Sequence, residues 1–136
     1  MFDPQELLNQ SLSTPLADTY TPVPKGEYQA TITRLDVRMA GERPVLDVHW
    51  TIIAPEEPLA NEQEVRQTFW LDINDHGQLD GSPNKNVKLG KLLTGFKLNS
   101  KKTNLNQLMG QIGVVTVDHR ESNGDIFADV TMAAAA

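Results

Sequence analysis

From Pro44 to Ala54 the chain alternates with a period of two. Leu46, Val48, Trp50 and Ile52 fall on one side, and Asp47, His49 and Thr51 on the other. A strand sends successive side chains to opposite faces, so this run reads as a strand buried on one face only. The same alternation precedes it in Glu27 to Val37, where Tyr28, Ala30 and Ile32 interleave with Gln29, Thr31 and Thr33. Ala40-Gly41-Glu42 supplies a turn, so the two runs predict an antiparallel hairpin. A third run, Glu64 to Ile73, puts Val65, Phe69, Leu71 and Ile73 on one parity and Arg66, Thr68, Trp70 and Asp72 on the other. The turn residues Asn74-Asp75-His76-Gly77 end it.

The period then changes. Val87, Leu89, Leu92, Leu93 and Phe96 recur at helical spacing behind Ser82-Pro83, a capping residue followed by proline at the first helical position. A second short helix is predicted from about Leu105 to Met109, after Asn104 and closed by Gly110. Two strands follow, Gly113 to His119 and Ile126 to Met132. Glu121-Ser122-Asn123-Gly124-Asp125 joins them, with Asn-Gly suited to the positive φ of a tight hairpin turn.

Three strands, a helical connection and two more strands is the element order of the OB-fold. That fold is a mainly β, five-stranded Greek-key barrel whose face on strands two and three takes oligonucleotides or oligosaccharides. The expected organisation is an arm with a short helix at 1–24, an OB-fold-like domain at 25–132 and an unstructured alanine tail at 133–136. In the arm, Asp3-Pro4-Gln5-Glu6 carries helix-start signals. Ser11 to Pro24, rich in Ser, Thr and Pro, is expected to run extended over the surface or over a neighbour.

A length of 136 residues suits one domain with one core. With no cysteine, disulfides, thiolate metal sites and cysteine nucleophiles are excluded. No apolar run approaches a membrane span, and Met-Phe-Asp-Pro-Gln-Glu lacks the features of a signal peptide. The expected location is therefore the cytoplasm, with no membrane partner.

The net charge of -6 argues against nucleic acid, but its distribution argues the other way. Between Gly81 and Val117 there is no Asp or Glu, whereas Lys85, Lys88, Lys91, Lys97, Lys101 and Lys102 all lie there. A basic segment in an acidic protein can bind phosphate, since salt screens the distant charges. The rival reading is a solvated lysine-rich helix face.

Trp70 is the most informative single residue. Its parity groups it with the polar side of its strand, as a base-stacking platform requires. Arg66 and Thr68 share that side, and Arg66 could meet a phosphate or stack on a base. The alternative is that the arm or the Pro55–Asn61 loop covers Trp70, or that a bulge exchanges it with Phe69. Trp50 groups with the core. His49, on the polar parity of its strand, could donate to phosphate or stack, or could be an exposed polar residue without a role. Catalysis and metal binding find no motif: His49, His76 and His119 lie in separate elements, and Asp72, Asn74, Asp75 and Asp80 do not fit a calcium loop. No enzyme activity and no cofactor are expected.

Four segments carry a resemblance: Pro24-Lys25-Gly26-Glu27-Tyr28-Gln29-Ala30-Thr31-Ile32, Val65-Arg66-Gln67-Thr68-Phe69-Trp70-Leu71-Asp72, Asn86-Val87-Lys88-Leu89-Gly90-Lys91-Leu92-Leu93, and Leu108-Met109-Gly110 with Val115-Thr116-Val117-Asp118-His119-Arg120. Over about Val23 to Val130 they resemble a family of small bacteriophage proteins known as domain of unknown function 669. The resemblance implies an OB-like barrel that binds single-stranded DNA and supports phage DNA replication or recombination. A phage recombinase or polymerase would be its protein partner. Two rival functions stand beside this one: a virion or assembly block whose arm makes a homo-oligomer, and an adaptor whose acidic surface docks on a host protein.

Overall fold

The structure is a computed structural model that describes residues 2–136; Met1, at the start of the expected arm, lies outside the described residues. The fold is mainly β. The elements run α1 (Pro4–Asn9), β1 (Gly26–Ala40), β2 (Arg43–Ile52), β3 (Glu64–Trp70), α2 (Val87–Gly95), a 3-10 turn at Leu105–Leu108, β4 (Ile112–Ser122) and β5 (Asp125–Ala135).

The five strands make one sheet in the order β1-β2-β3-β5-β4, which closes on itself because β4 also pairs with β1. β1 serves both neighbours. Gly26–Thr31 pairs with β4, and Ala30–Ala40 pairs with β2. The handover falls at a register shift between Ile32 and Arg34. There the Ile32 amide donates to Gln111 O (2.9 Å) and the Gly110 amide donates to Ile32 O (2.9 Å). β4 and β5 form a long antiparallel hairpin turned by Asn123 (φ 52°) and Gly124 (φ 85°), as Asn-Gly predicts. The closure is uneven. β3 meets β5 in parallel at a single pair, Arg66 with Asp129.

The core lies inside this closed sheet. Ala30, Ile32, Leu46, Val48, Trp50, Ile52, Val65, Phe69, Val115 and Val117 fill it, with Leu89 and Leu92 of α2 and Leu108 of the 3-10 turn packed against them. The expected inward parities of β1, β2 and β3 are present except at Ile73. Trp50 is fully buried, and its indole N–H donates to Gln67 Oε1 (3.2 Å). A buried indole needs such an acceptor. Trp50 also meets Phe96 with ring centroids 6.4 Å apart. Gly113 lies under this pair. A Cβ there would overlap Ala134 O and sit 3.3 Å from both Trp50 and Phe96.

Five expectations need correction. β3 ends at Trp70, not Ile73: Ile73 bridges to Leu79 instead and is 41% exposed. α2 starts at Val87, not after Ser82-Pro83. Asn84 and Asn86 have positive φ (68° and 51°), which no helix accommodates. The Asn86 side chain is instead tied to β3's exit, accepting from the Asp72 amide (2.9 Å) and donating to Asp72 O (2.9 Å) and Asp80 O (3.0 Å). The alanine tail is strand as far as Ala135, because Ala133, Ala134 and Ala135 pair with Val115, Val114 and Gly113. β2 stops at Ile52, short of Ala54. Finally, β2 is buried on both faces. Asp47 and His49 on its polar side are 3% and 7% exposed.

Asp3 caps α1, accepting from the Gln5 amide (2.9 Å) as its sequence position predicts. Among the described residues the arm is fastened to the sheet only at its end. Val23 is buried, the Tyr28 hydroxyl donates to Pro24 O (2.7 Å), and His119 Nε2 lies 2.7 Å from Val23 O. Among the described residues no helix is long and apolar enough to cross a membrane.

Candidate nucleic-acid interface

The outer face of β1, β2 and β3 carries two ion networks, and these decide which cations remain free. In the first, His49 sits between carboxylates. Its Nδ1 lies 3.0 Å from Glu64 Oε1 and its Nε2 lies 3.1 Å from Asp36 Oδ2. Arg34 joins both carboxylates, at 3.2 Å to Asp36 and 3.1 Å to Glu64. His49 is therefore neither exposed nor free for phosphate. β1 runs on to Ala40 and folds Arg34 and Asp36 over it.

In the second network, Asp47 accepts from Arg38 Nε (2.7 Å) and the Thr68 hydroxyl (2.9 Å), with Arg66 Nε 3.9 Å away. Burial works against ionising Asp47 and is the largest single influence. The hydrogen bonds from Arg38 and Thr68 and the charges of Arg66 and Arg38 together outweigh it. The carboxyl is held below its ordinary range.

Arg43 closes the list of paired arginines on this face. It bonds Asp72 Oδ1 (3.1 Å) and Leu71 O (3.2 Å). Its guanidinium also lies 5.6 Å from the centroid of the Trp70 ring. Trp70 is 53% exposed, on the outer parity of β3 that the sequence predicts. The cation over the Trp70 ring is Arg43, which the sequence reading does not single out. Arg66 instead lines a separate groove with Tyr20, Arg120 and Phe127, where Arg120 stacks over Phe127 (5.1 Å) and pairs with Asp129.

All five arginines thus have a carboxylate within 4 Å, and of the lysines only Lys25 does, with Asp118 at 3.6 Å. Lys85, Lys88, Lys91, Lys97, Lys101 and Lys102 are exposed and make no ion pair among the described residues. The acid-free segment of the sequence is where the cations without an ion pair lie, although the charge of Lys85 reaches Asp80.

These six do not form one ridge. Lys88 and Lys91, three apart on α2, face the seam between β3 and β5, a groove of about 500 Å³ floored by Phe69, Leu92, Val130 and Ala133 and edged by Thr68. Lys88 also lines the adjoining hollow beside Thr68, Trp70 and Asp72. Lys85 precedes α2 rather than lying on it, and lines a different groove with Lys101 on the other side of the helix. Lys97 and Lys102 line neither. Of the residues singled out from the sequence, Trp70, Thr68, Lys88 and Lys91 come together. His49, Lys85, Lys97, Lys101 and Lys102 lie apart from that group; Arg66 shares Asp47 with Thr68 but also lines the separate groove beside Tyr20.

Sequence reasoning missed Arg43 and the Arg120–Phe127 stack. Arg43 comes directly after the β1–β2 turn, and only the β2–β3 register carries it to Trp70, so no local pattern marks it. Among the described residues no three His, Asp or Glu side chains converge as a metal site requires. No protein-family model and no curated protein sequence matches the chain.

Proposed function

We propose that the protein is an OB-fold barrel that binds single-stranded DNA without sequence preference and without catalysis. The strand order, the parallel contact of β3 with β5 and the helix between β3 and β4 support the Greek-key assignment. One observation carries the functional reading: a half-exposed indole next to a seam whose only charged walls are unpaired lysines. A base stacks on the free face of Trp70, since Arg43 covers the other. The backbone then follows Thr68 into the seam, where Lys88 and Lys91 neutralise phosphates and release counterions. The networks around Asp47 and His49 hold the rest of the outer face near neutrality, so the DNA path runs along the α2 side of β3. In a phage, such a protein would support DNA replication or recombination in the host cytoplasm.

The test is a titration of the full chain with oligo-dT at two salt concentrations, following tryptophan emission. Trp50 is fully buried, so quenching reports on Trp70. Quenching at low salt that weakens as salt rises supports the reading. Absence of quenching and of binding at low salt, or affinity indifferent to salt, overturns it.

A further inference from the structure

The arm leaves the most apolar surface uncovered. Phe2, Leu7, Leu8, Leu12, Leu16 and Tyr20 are 68%, 53%, 78%, 67%, 75% and 84% exposed. Leu8, Leu12, Leu16 and Tyr20 recur at every fourth position, and every residue from Phe2 to Thr21 is exposed. Such an accumulation of large apolar side chains marks a surface made to be covered. The arm is also acidic. Asp3, Glu6 and Asp18 lie on it, and no Lys or Arg precedes Lys25.

The β3–β5 seam has the opposite character. Its floor is apolar, through Phe69, Leu92, Val130 and Ala133, and its wall carries Lys88 and Lys91. Its backbone is also open. The Leu71 amide donates to Pro44 O, so the odd-numbered residues of β3 turn their peptide groups to β2. Thr68 and Trp70 then turn theirs towards β5, beyond the point where the β3–β5 ladder ends at Arg66 and Asp129. A sheet edge of this kind accepts an extended chain as an added strand.

We propose that the seam of one molecule receives the arm of a second copy of this chain, and that reciprocal exchange makes a two-fold dimer. Leucines of the arm settle on the apolar floor, and its carboxylates meet Lys88 and Lys91. The arm is anchored at Val23 and Pro24, and Phe2 to Thr19, with α1 kept and the rest extended, reaches about 50 Å, enough to cross to a neighbour. The occupant is the second copy because the chain's own arm stays exposed from end to end.

The arm and single-stranded DNA would compete for the same seam and the same two lysines, so every measurement is made without DNA, and failure of the dimer leaves the nucleic-acid reading standing. In sedimentation equilibrium the wild-type chain should show twice the chain mass. Leu12→Asp with Leu16→Asp should return it to the chain mass, and so should Lys88→Glu with Lys91→Glu. All four positions are exposed or line the surface, so circular dichroism should show the fold kept. A reversed arm (Asp3→Lys, Glu6→Lys, Asp18→Lys) should also be monomeric alone. Mixed with the Lys88→Glu, Lys91→Glu protein, it should restore a dimer, because both exchanged contacts are then complementary. A wild-type chain that stays monomeric at its highest soluble concentration overturns the proposal. A dimer that survives reversal of the seam, or a mixture that fails to associate, does so equally.

Discussion

Replacing Trp70 by alanine isolates the stacking contribution with little disturbance to the fold. The side chain is 53% exposed, and its one aromatic contact is the Arg43 guanidinium at 5.6 Å. Arg43 keeps its bonds to Asp72 and Leu71 O when the ring is gone. Because Arg43 covers one face of the indole, a single base can stack on the other. One base on an aromatic is worth about 1–3 kcal/mol, so the dissociation constant for oligo-dT should rise by about 5- to 160-fold. The readout is anisotropy of a labelled oligonucleotide, with urea unfolding run in parallel. The urea midpoint should move little, as expected for an exposed residue. Trp70→Phe should keep most of the affinity while abolishing fluorescence quenching. Unchanged affinity in Trp70→Ala, with the fold intact, would refute the reasoning.

The lysines of the seam should act on salt dependence. In Lys88→Ala with Lys91→Ala the slope of log affinity against log salt should fall by about 1.4, at roughly 0.7 per phosphate lost on a single strand, measured by the same anisotropy. Gly113→Ala should destabilise the protein by about 3 kcal/mol or more in urea, since the added methyl falls on the Ala134 carbonyl beneath Trp50 and Phe96 and the backbone has to shift. Gln67→Leu should cost about 1–3 kcal/mol by leaving the buried Trp50 N–H without its acceptor. Asp47→Asn should cost about 1–3 kcal/mol at neutral pH, discounted because Arg38 and Arg66 are 45% and 42% exposed and can turn to water. The folded carboxyl of Asp47 lies below its unfolded value, so its stabilisation is complete above about pH 4 and is lost as pH falls through the folded value. The gap between wild type and Asp47→Asn in urea midpoint should accordingly close on acidification.

Much of this fold is written in local pattern. Trp50 reads as core and Trp70 as surface from parity alone, and both are so placed. Asn123-Gly124 marks its turn because positive φ at successive residues is a local demand. What is not legible comes from distant pairing. The hairpin sets β1 beside β2, but alternation within Pro44 to Ala54 does not tell that Arg34, Asp36 and Arg38 fold over the polar side of β2 and bury it. Alternation alone therefore turns His49 and Asp47 to solvent. The start of α2 is hidden from the sequence for the same reason. Ser82-Pro83 has good capping chemistry, but Asn86 is claimed by Asp72 and Asp80 across the fold. Of the candidate site, the acid-free lysine segment was visible as composition. Its division between two sides of α2 was not, because that depends on where the helix begins and which face it lays on β5.

The meeting of β3 and β5 at one residue pair has a mechanical consequence. A cylinder joined by full ladders all round cannot widen without breaking a row of backbone hydrogen bonds. This one has a clasp at Arg66 and Asp129 and a slit beyond it. The lips of the slit can part, pivoting on the clasp, while every other ladder stays whole. An elongated guest could therefore be admitted or released at no cost in main-chain bonding, and among the strand residues amide hydrogen exchange should be faster at Thr68, Trp70 and the facing residues of β5 than in the full ladders.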